Sequence, residues 1–148
     1  MGKIEAINIT NISEESTFYV NQAILEKGKG IVNDRYYENF KEKKEQVTLI
    51  SLEDINNFNN KIKQNIEAKD FRRNIIVSGI NLNELINKKI KINEITLKIH
   101  EICQPCKYLQ NRLKIPGLVK MLVNKSGVRA EILSSGNLSV GDKIKILK

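Results

Sequence analysis

The chain has 148 residues, 41% of them hydrophobic, with a formal net charge of +8. That length suits one domain with a full core, residues 1–148, and two prolines and eight glycines are too few for a disordered or linker-rich chain. No apolar run approaches the roughly 18 residues that a membrane span needs, and two cysteines inside one four-residue window cannot staple distant elements as in a secreted disulfide scaffold.

Met1 to Ile4 runs straight into a strand-like pattern, so neither a leader nor a membrane partner is expected, and a cytoplasmic location is. The positive charge raises the question of nucleic acid. The lysines are spread from Lys3 to Lys148, and aromatics make up only 5% with no tryptophan, so base-stacking platforms are poorly supplied. No nucleic-acid partner is expected; a small anionic ligand is.

Lys3 to Ile12 alternates through Ile4 and Ala6, then Ile7, Ile9 and Ile12 after a shift, which predicts a first strand. A second is predicted over Phe18 to Leu25, closed by the turn signal Gly28-Lys29-Gly30. Lys41 to Lys44 reads as loop and Gln46 to Ile50 as a short β-branched strand. Leu52, Ile55, Phe58, Ile62 and Ile66 recur at helical spacing, and Ser51 with Asp54 three residues on supplies an N-terminal cap. A helix from Leu52 to about Ile66 follows. Phe71 to Val77 is strand-like and Asn83 to Ile86 is one helical turn.

Ile90 and Ile92, then Ile95, Leu97 and Ile99, flank Asn93-Glu94 and predict a hairpin. Lys107 to Lys114 predicts a short helix, interrupted by Pro116-Gly117 and resumed at Leu118. Val128 to Leu133 and the stretch ending at Leu147 complete the strands. Many short strands, one longer helix and short C-terminal helices predict a mainly β, barrel-like mixed sheet. A doubly wound sheet would need helices between most strands.

Chemistry concentrates at Cys103-Gln104-Pro105-Cys106, between a strand and a helix. Helix N-termini and nearby cations both favour thiolate. Three readings stand side by side: a redox dithiol, half of a zinc site with His100, and a single functional thiol at Cys106 with Cys103 accessory. The last is preferred, since the frame of a thioredoxin-type motif is missing and a lone histidine on an alternating strand is usually a surface residue. Arg72-Arg73-Asn74 suits an anion, because guanidinium forks bind phosphate or carboxylate with paired hydrogen bonds. On a strand, Arg72 and Asn74 would share one face and Arg73 the other. Asp34-Arg35 after a glycine-bearing turn is a secondary pair.

These pieces fall into one order: Gly30-Ile31-Val32-Asn33-Asp34-Arg35-Tyr36, Gln46 to Ile50, Phe71 to Ile75 with Gly79, Pro105-Cys106, Gly127 to Leu133, and Val140-Gly141-Asp142. The set resembles the MOSC domain family, named for the C-terminal domain of molybdenum-cofactor sulfurase, as a small stand-alone member. The resemblance implies a β-rich barrel that binds the molybdenum cofactor, a pterin whose dithiolene holds the metal and whose tail is a phosphate. It implies that Cys106 carries sulfur as a persulfide or ligates molybdenum, and that Arg72, Arg73 and Asn74 meet the phosphate or the pterin, with Asp34 and Arg35 in support. A sulfur donor or a molybdoenzyme acceptor would be the partner. Two other activities stay open: a molybdenum-dependent reductase of N-hydroxylated compounds, and a non-enzymatic module for an anion or a sulfur carrier. Asn33 stands where the family commonly has glycine.

Overall fold

In the computed structural model, which describes residues 2–12 and 16–147, the first strand β1 is Gly2–Ile9. Its alternation slips because a bulge between Ile4 and Ala6 shifts the register against β6 (Ile75–Ser78). The shift in apolar spacing was the sequence trace of that bulge. The predicted second strand is two strands broken at Asn21: β2 (Phe18–Val20) and β3 (Gln22–Glu26), which join different sheets. β4 (Gly30–Ile31) pairs with β3, and Lys43–Glu45 is a turn of 3-10 helix.

β5 (Val47–Ser51) and β6 are neighbours and parallel, the one parallel pair among the described strands. A parallel pair needs a crossover, and α1 (Leu52–Ile62) supplies it. The Ser51 side chain accepts the Asp54 N–H at 3.0 Å, one of the donors a helix start leaves without an internal partner. The helix stops four residues before the predicted end. Lys63 takes φ 56, and its N–H closes on the Asn59 carbonyl. The apolar stripe continues because the Asn59 amide clamps the Ile66 backbone from both sides at 2.9 Å, holding Ile66 against the same packing layer without a helix.

β7 (Lys89–Ile92) and β8 (Ile95–Ile102) form the predicted hairpin, with Asn93 at φ 55 in its two-residue turn. α2 (Lys107–Leu113), α3 (Leu118–Met121), β9 (Val128–Ser134), β10 (Gly136–Ser139) and β11 (Lys143–Leu147) follow. The order β11-β7-β8-β9-β5-β6-β1 closes on itself through β1–β11, making a seven-stranded barrel. β2 extends β1, and β10-β3-β4 form a small second sheet.

Two apolar layers hold this together. Ile4, Ile7, Leu49, Ile75, Leu97 and Ile99 fill the barrel. Ile50 and Ile76, on the outer face of β5 and β6, are covered by Ile55 and Phe58 of α1, by Phe71, and by Leu109 and Leu118 from α2 and α3. Phe58 and Phe71 meet edge to face at 5.8 Å. β5 is therefore buried along its whole length.

Candidate functional site

The site is built where β1 and β8 end and β6 and β9 begin. Residues 72–74 do not continue a strand. Ala68–Phe71 is a 3-10 turn, Arg72 caps it at φ 62, and the strand starts only at Ile75. The two-face reading of Arg72, Arg73 and Asn74 therefore fails: Arg72 and Arg73 both reach one cavity, and Asn74 turns away from it.

Arg72 lines an open cavity of about 240 Å³ with Arg35, Tyr36, Phe71, Arg73, Cys106, Tyr108 and Leu109. Its guanidinium carbon lies 5.7 Å from the centre of the Tyr108 ring. Burial lowers the Arg72 pKa, and repulsion from Arg35 lowers it further. An anion in the cavity would relieve both.

Arg73 braces the cysteine loop. Its Nε–H donates to the Ser126 carbonyl at 2.7 Å, and Nη2 donates to Ser126 Oγ at 3.2 Å and to the Gln104 carbonyl at 3.4 Å. The Ser126 hydroxyl donates to the Cys103 carbonyl at 2.6 Å, and the Cys103 N–H donates to the Gly127 carbonyl at 2.8 Å. The Gln104 side chain closes a two-way amide contact with Asn124, at 2.6 and 2.9 Å. Residues 103–104 are thus fastened to the turn before β9. Ser126 and Gln104 carry this clamp; the sequence alone gave neither a role, although Gln104 lies inside the cysteine motif.

Asn74 is fully buried inside the barrel mouth. Its Oδ1 accepts the Thr48 N–H and hydroxyl, both at 3.1 Å, while its Nδ2 donates to the Asn8 carbonyl at 3.3 Å, tying β1 to β5 across β6. Replacing it with alanine strands these groups away from water, and Asn74→Ala should cost about 3 kcal/mol. Urea unfolding checks this; a loss under about 1 kcal/mol would mean that water replaces the amide.

Asp34 and Arg35 sit one behind the other. The fully buried Asp34 carboxylate accepts the Thr10 N–H at 3.1 Å and the Tyr36 N–H at 3.4 Å, and pairs with Arg35 at 3.3 Å. Arg35 donates to the Arg72 carbonyl at 3.1 Å and lies 4.4 Å from the Tyr36 ring centre. Asp34 thus positions Arg35, and Arg35 meets the cavity. Asn33 takes φ 73, a conformation asparagine tolerates better than most residues.

Cys106 is exposed at the N-cap of α2, whereas Cys103 is buried; both are free thiols. They line different cavities. Cys103 belongs to a smaller one of about 130 Å³ with Tyr36, Glu45, Thr48, Arg73 and Arg129. His100 pairs with Glu131 at 2.9 Å. Among the described residues, no group of three or more His, Cys, Asp or Glu side chains is gathered for a metal ion.

The fold and site define a small closed barrel that presents one thiol beside buried guanidinium groups in an open, aromatic-lined cavity. The family model for the MOSC domain matches residues 35–145, and the chain belongs to the MOSC domain family. Similar solved structures include YuaD from Bacillus subtilis, with TM-score 0.83 and 20% identity over 99% of this chain and 96% of that one. YiiM from Geobacillus stearothermophilus matches with TM-score 0.81 and 16% identity over 100% of this chain and 76% of that one. YiiM from Escherichia coli gives TM-score 0.75 and 12% identity over 99% and 70%. At these identities the likeness shows the fold. No match is found among curated proteins. No helix of the described residues is long and apolar enough to cross a membrane.

Proposed function

We propose that this protein binds the molybdenum cofactor in the Arg72–Cys106 cavity and handles its sulfur or its metal through Cys106. The observation that carries the reading is the shared wall: an exposed thiol, the buried Arg72 guanidinium and two tyrosine rings line one cavity of about 240 Å³. The donor set fits the group. A cysteine sulfur is a soft ligand of the kind thiophilic metals and sulfur transfer require. Arg72, with Arg35 beside it, suits a phosphate, and Tyr36 and Tyr108 offer faces to a flat heterocycle. When bound, the cofactor supplies a dithiolene-held metal that accepts a further sulfur ligand.

The protein's own part is placement. The clamp through Arg73, Ser126 and Gln104 fixes the loop that leads into Cys106, so the thiol is presented without the loop being ordered at the moment of binding. Asp34 holds Arg35 against the Arg72 carbonyl, which fixes the backbone from which Arg72 projects. Arg73 joins the cavity wall while bracing the loop, and Asn74 supports these groups from behind.

The test is binding of molybdopterin to apoprotein, followed by ultrafiltration and pterin fluorescence. The chain has no tryptophan to interfere. Arg72→Gln should weaken binding about 10- to 100-fold, the worth of a charge-assisted contact. Arg72→Lys should recover part of it, since lysine keeps the charge but loses the fork. Equal affinity in all three proteins would remove the anion role of Arg72.

A further inference from the structure

The lysines look dispersed along the chain, and the barrel gathers them. Lys3 stands opposite Lys143 on β1 and β11, Lys145 opposite Lys91 on β11 and β7, and Lys89 opposite Lys98 on β7 and β8. Side chains two apart on a strand share a face, so Lys143 with Lys145, and Lys89 with Lys91, join these pairs into one patch on the outside of four adjacent strands. With strands about 4.8 Å apart, the patch is roughly 14 Å across. Five of the six lysines are exposed and Lys98 is half-buried. Among the described residues, only Lys3 has a carboxylate within ion-pair distance, Glu5 at 3.6 Å. Glu131 lies opposite Lys98 but turns to His100.

Like charges placed directly opposite on a sheet oppose its formation. Here three such pairs adjoin in a ladder, with Glu5 and Glu131 at its two edges and the Asp142 carboxylate beside Lys143 held by Asn93 and the Ser139 N–H. We propose that this face is a docking surface for the phosphate backbone of nucleic acid, read without regard to sequence. The side chains decide the class of partner. A protein partner would be met by an interface core of aromatic and apolar groups, and lysine is depleted there. This face presents lysine ammonium groups, with neither the arginine forks nor the aromatic rings that base recognition uses. Such a surface neutralises phosphates and specifies nothing. It also stands apart from the cavity. The patch lies at the N-terminal end of β1, whereas the cavity forms beyond the C-terminal ends of β1 and β8, so both can be occupied together.

The experiment is the salt dependence of binding to a fluorescein-labelled mixed-sequence DNA duplex, with the full-length protein. Contact by five or six lysines predicts a slope of log affinity against log salt of about −4.5 to −5.4. Combining Lys89→Gln, Lys91→Gln, Lys143→Gln and Lys145→Gln should make the slope shallower by about 3 to 4 and cost at least about tenfold in affinity at low salt. A control with Lys27→Gln, Lys29→Gln, Lys61→Gln and Lys120→Gln removes the same charge, from +8 to +4, at exposed positions elsewhere, and should keep the wild-type slope. The patch variant should melt at or above the wild-type temperature, which shows that its fold is intact. An equal loss in the control would reduce the effect to net charge and overturn the proposal. So would a wild-type protein that fails to bind the duplex, or that binds polyglutamate or phosphatidylserine vesicles more tightly than DNA.

Discussion

Cys106→Ser is expected to lose at least about 100-fold in affinity for the molybdenum cofactor, more than a supporting residue around a metal contributes. It is also expected to lose every sulfur adduct seen by intact mass after treatment with a sulfane-sulfur donor. Serine keeps the shape of the N-cap of α2, and the Cys106 side chain makes no capping hydrogen bond, so the fold should stand. What disappears is a soft, polarisable donor, for which a hydroxyl is no substitute. Cys103→Ser is the matched comparison. That residue is buried and lines the other cavity, so its removal should leave cofactor affinity within about threefold. If the two variants behaved alike, the thiols would act as a pair and the single-thiol account would fall.

Gly127→Ala should be the most damaging single methyl in the chain, costing more than about 4 kcal/mol or preventing folding. A Cβ at Gly127 would lie 2.1 Å from the Leu49 carbonyl oxygen and 3.1 Å from its carbon, and both are backbone atoms of a fully buried strand. The residue also holds φ 99, which only glycine adopts without strain. Its carbonyl receives the Cys103 N–H, and its neighbour Ser126 holds Arg73, so the clamp behind the site depends on this close approach. Gly141→Ala separates the two causes. Gly141 has φ 94 but open space around it, so strain alone should cost about 1–2 kcal/mol. Urea midpoints of the two variants read the difference; similar midpoints would show that the steric contact with Leu49 is relieved.

Much of the barrel was legible because its signals are local. The β7–β8 hairpin declares itself by alternation on both sides of a two-residue turn, and the slip between Ile4 and Ile7 marks a real bulge. The errors fall where tertiary contacts replace local pattern. Ile66 keeps the helical spacing of α1 because the Asn59 side chain holds it, beyond a left-handed stop at Lys63 that the sequence does not signal. Phe71 to Val77 is apolar enough to read as a strand, yet Arg72 takes φ 62, a conformation no sequence rule assigns to arginine. The surroundings of the candidate residues were therefore not legible from their spacing. Arg72, Arg73 and Cys106 reach one cavity, but Arg73 spends its donors on Ser126 and Gln104, and Asn74 turns away to hold Thr48. The lysine ladder was missed for a related reason. Lys89, Lys91, Lys143 and Lys145 are more than fifty residues apart as pairs, and only strand register makes them neighbours.

The most direct test of the central claim is the rate at which iodoacetamide alkylates each cysteine in the wild-type protein, followed by peptide mass with and without saturating molybdopterin. The account predicts that Cys106 reacts readily in the apoprotein and is protected at least tenfold by the cofactor, while the slow reaction of buried Cys103 does not change. Saturable cofactor binding that leaves the Cys106 rate untouched would place the ligand elsewhere and contradict the assignment of this cavity.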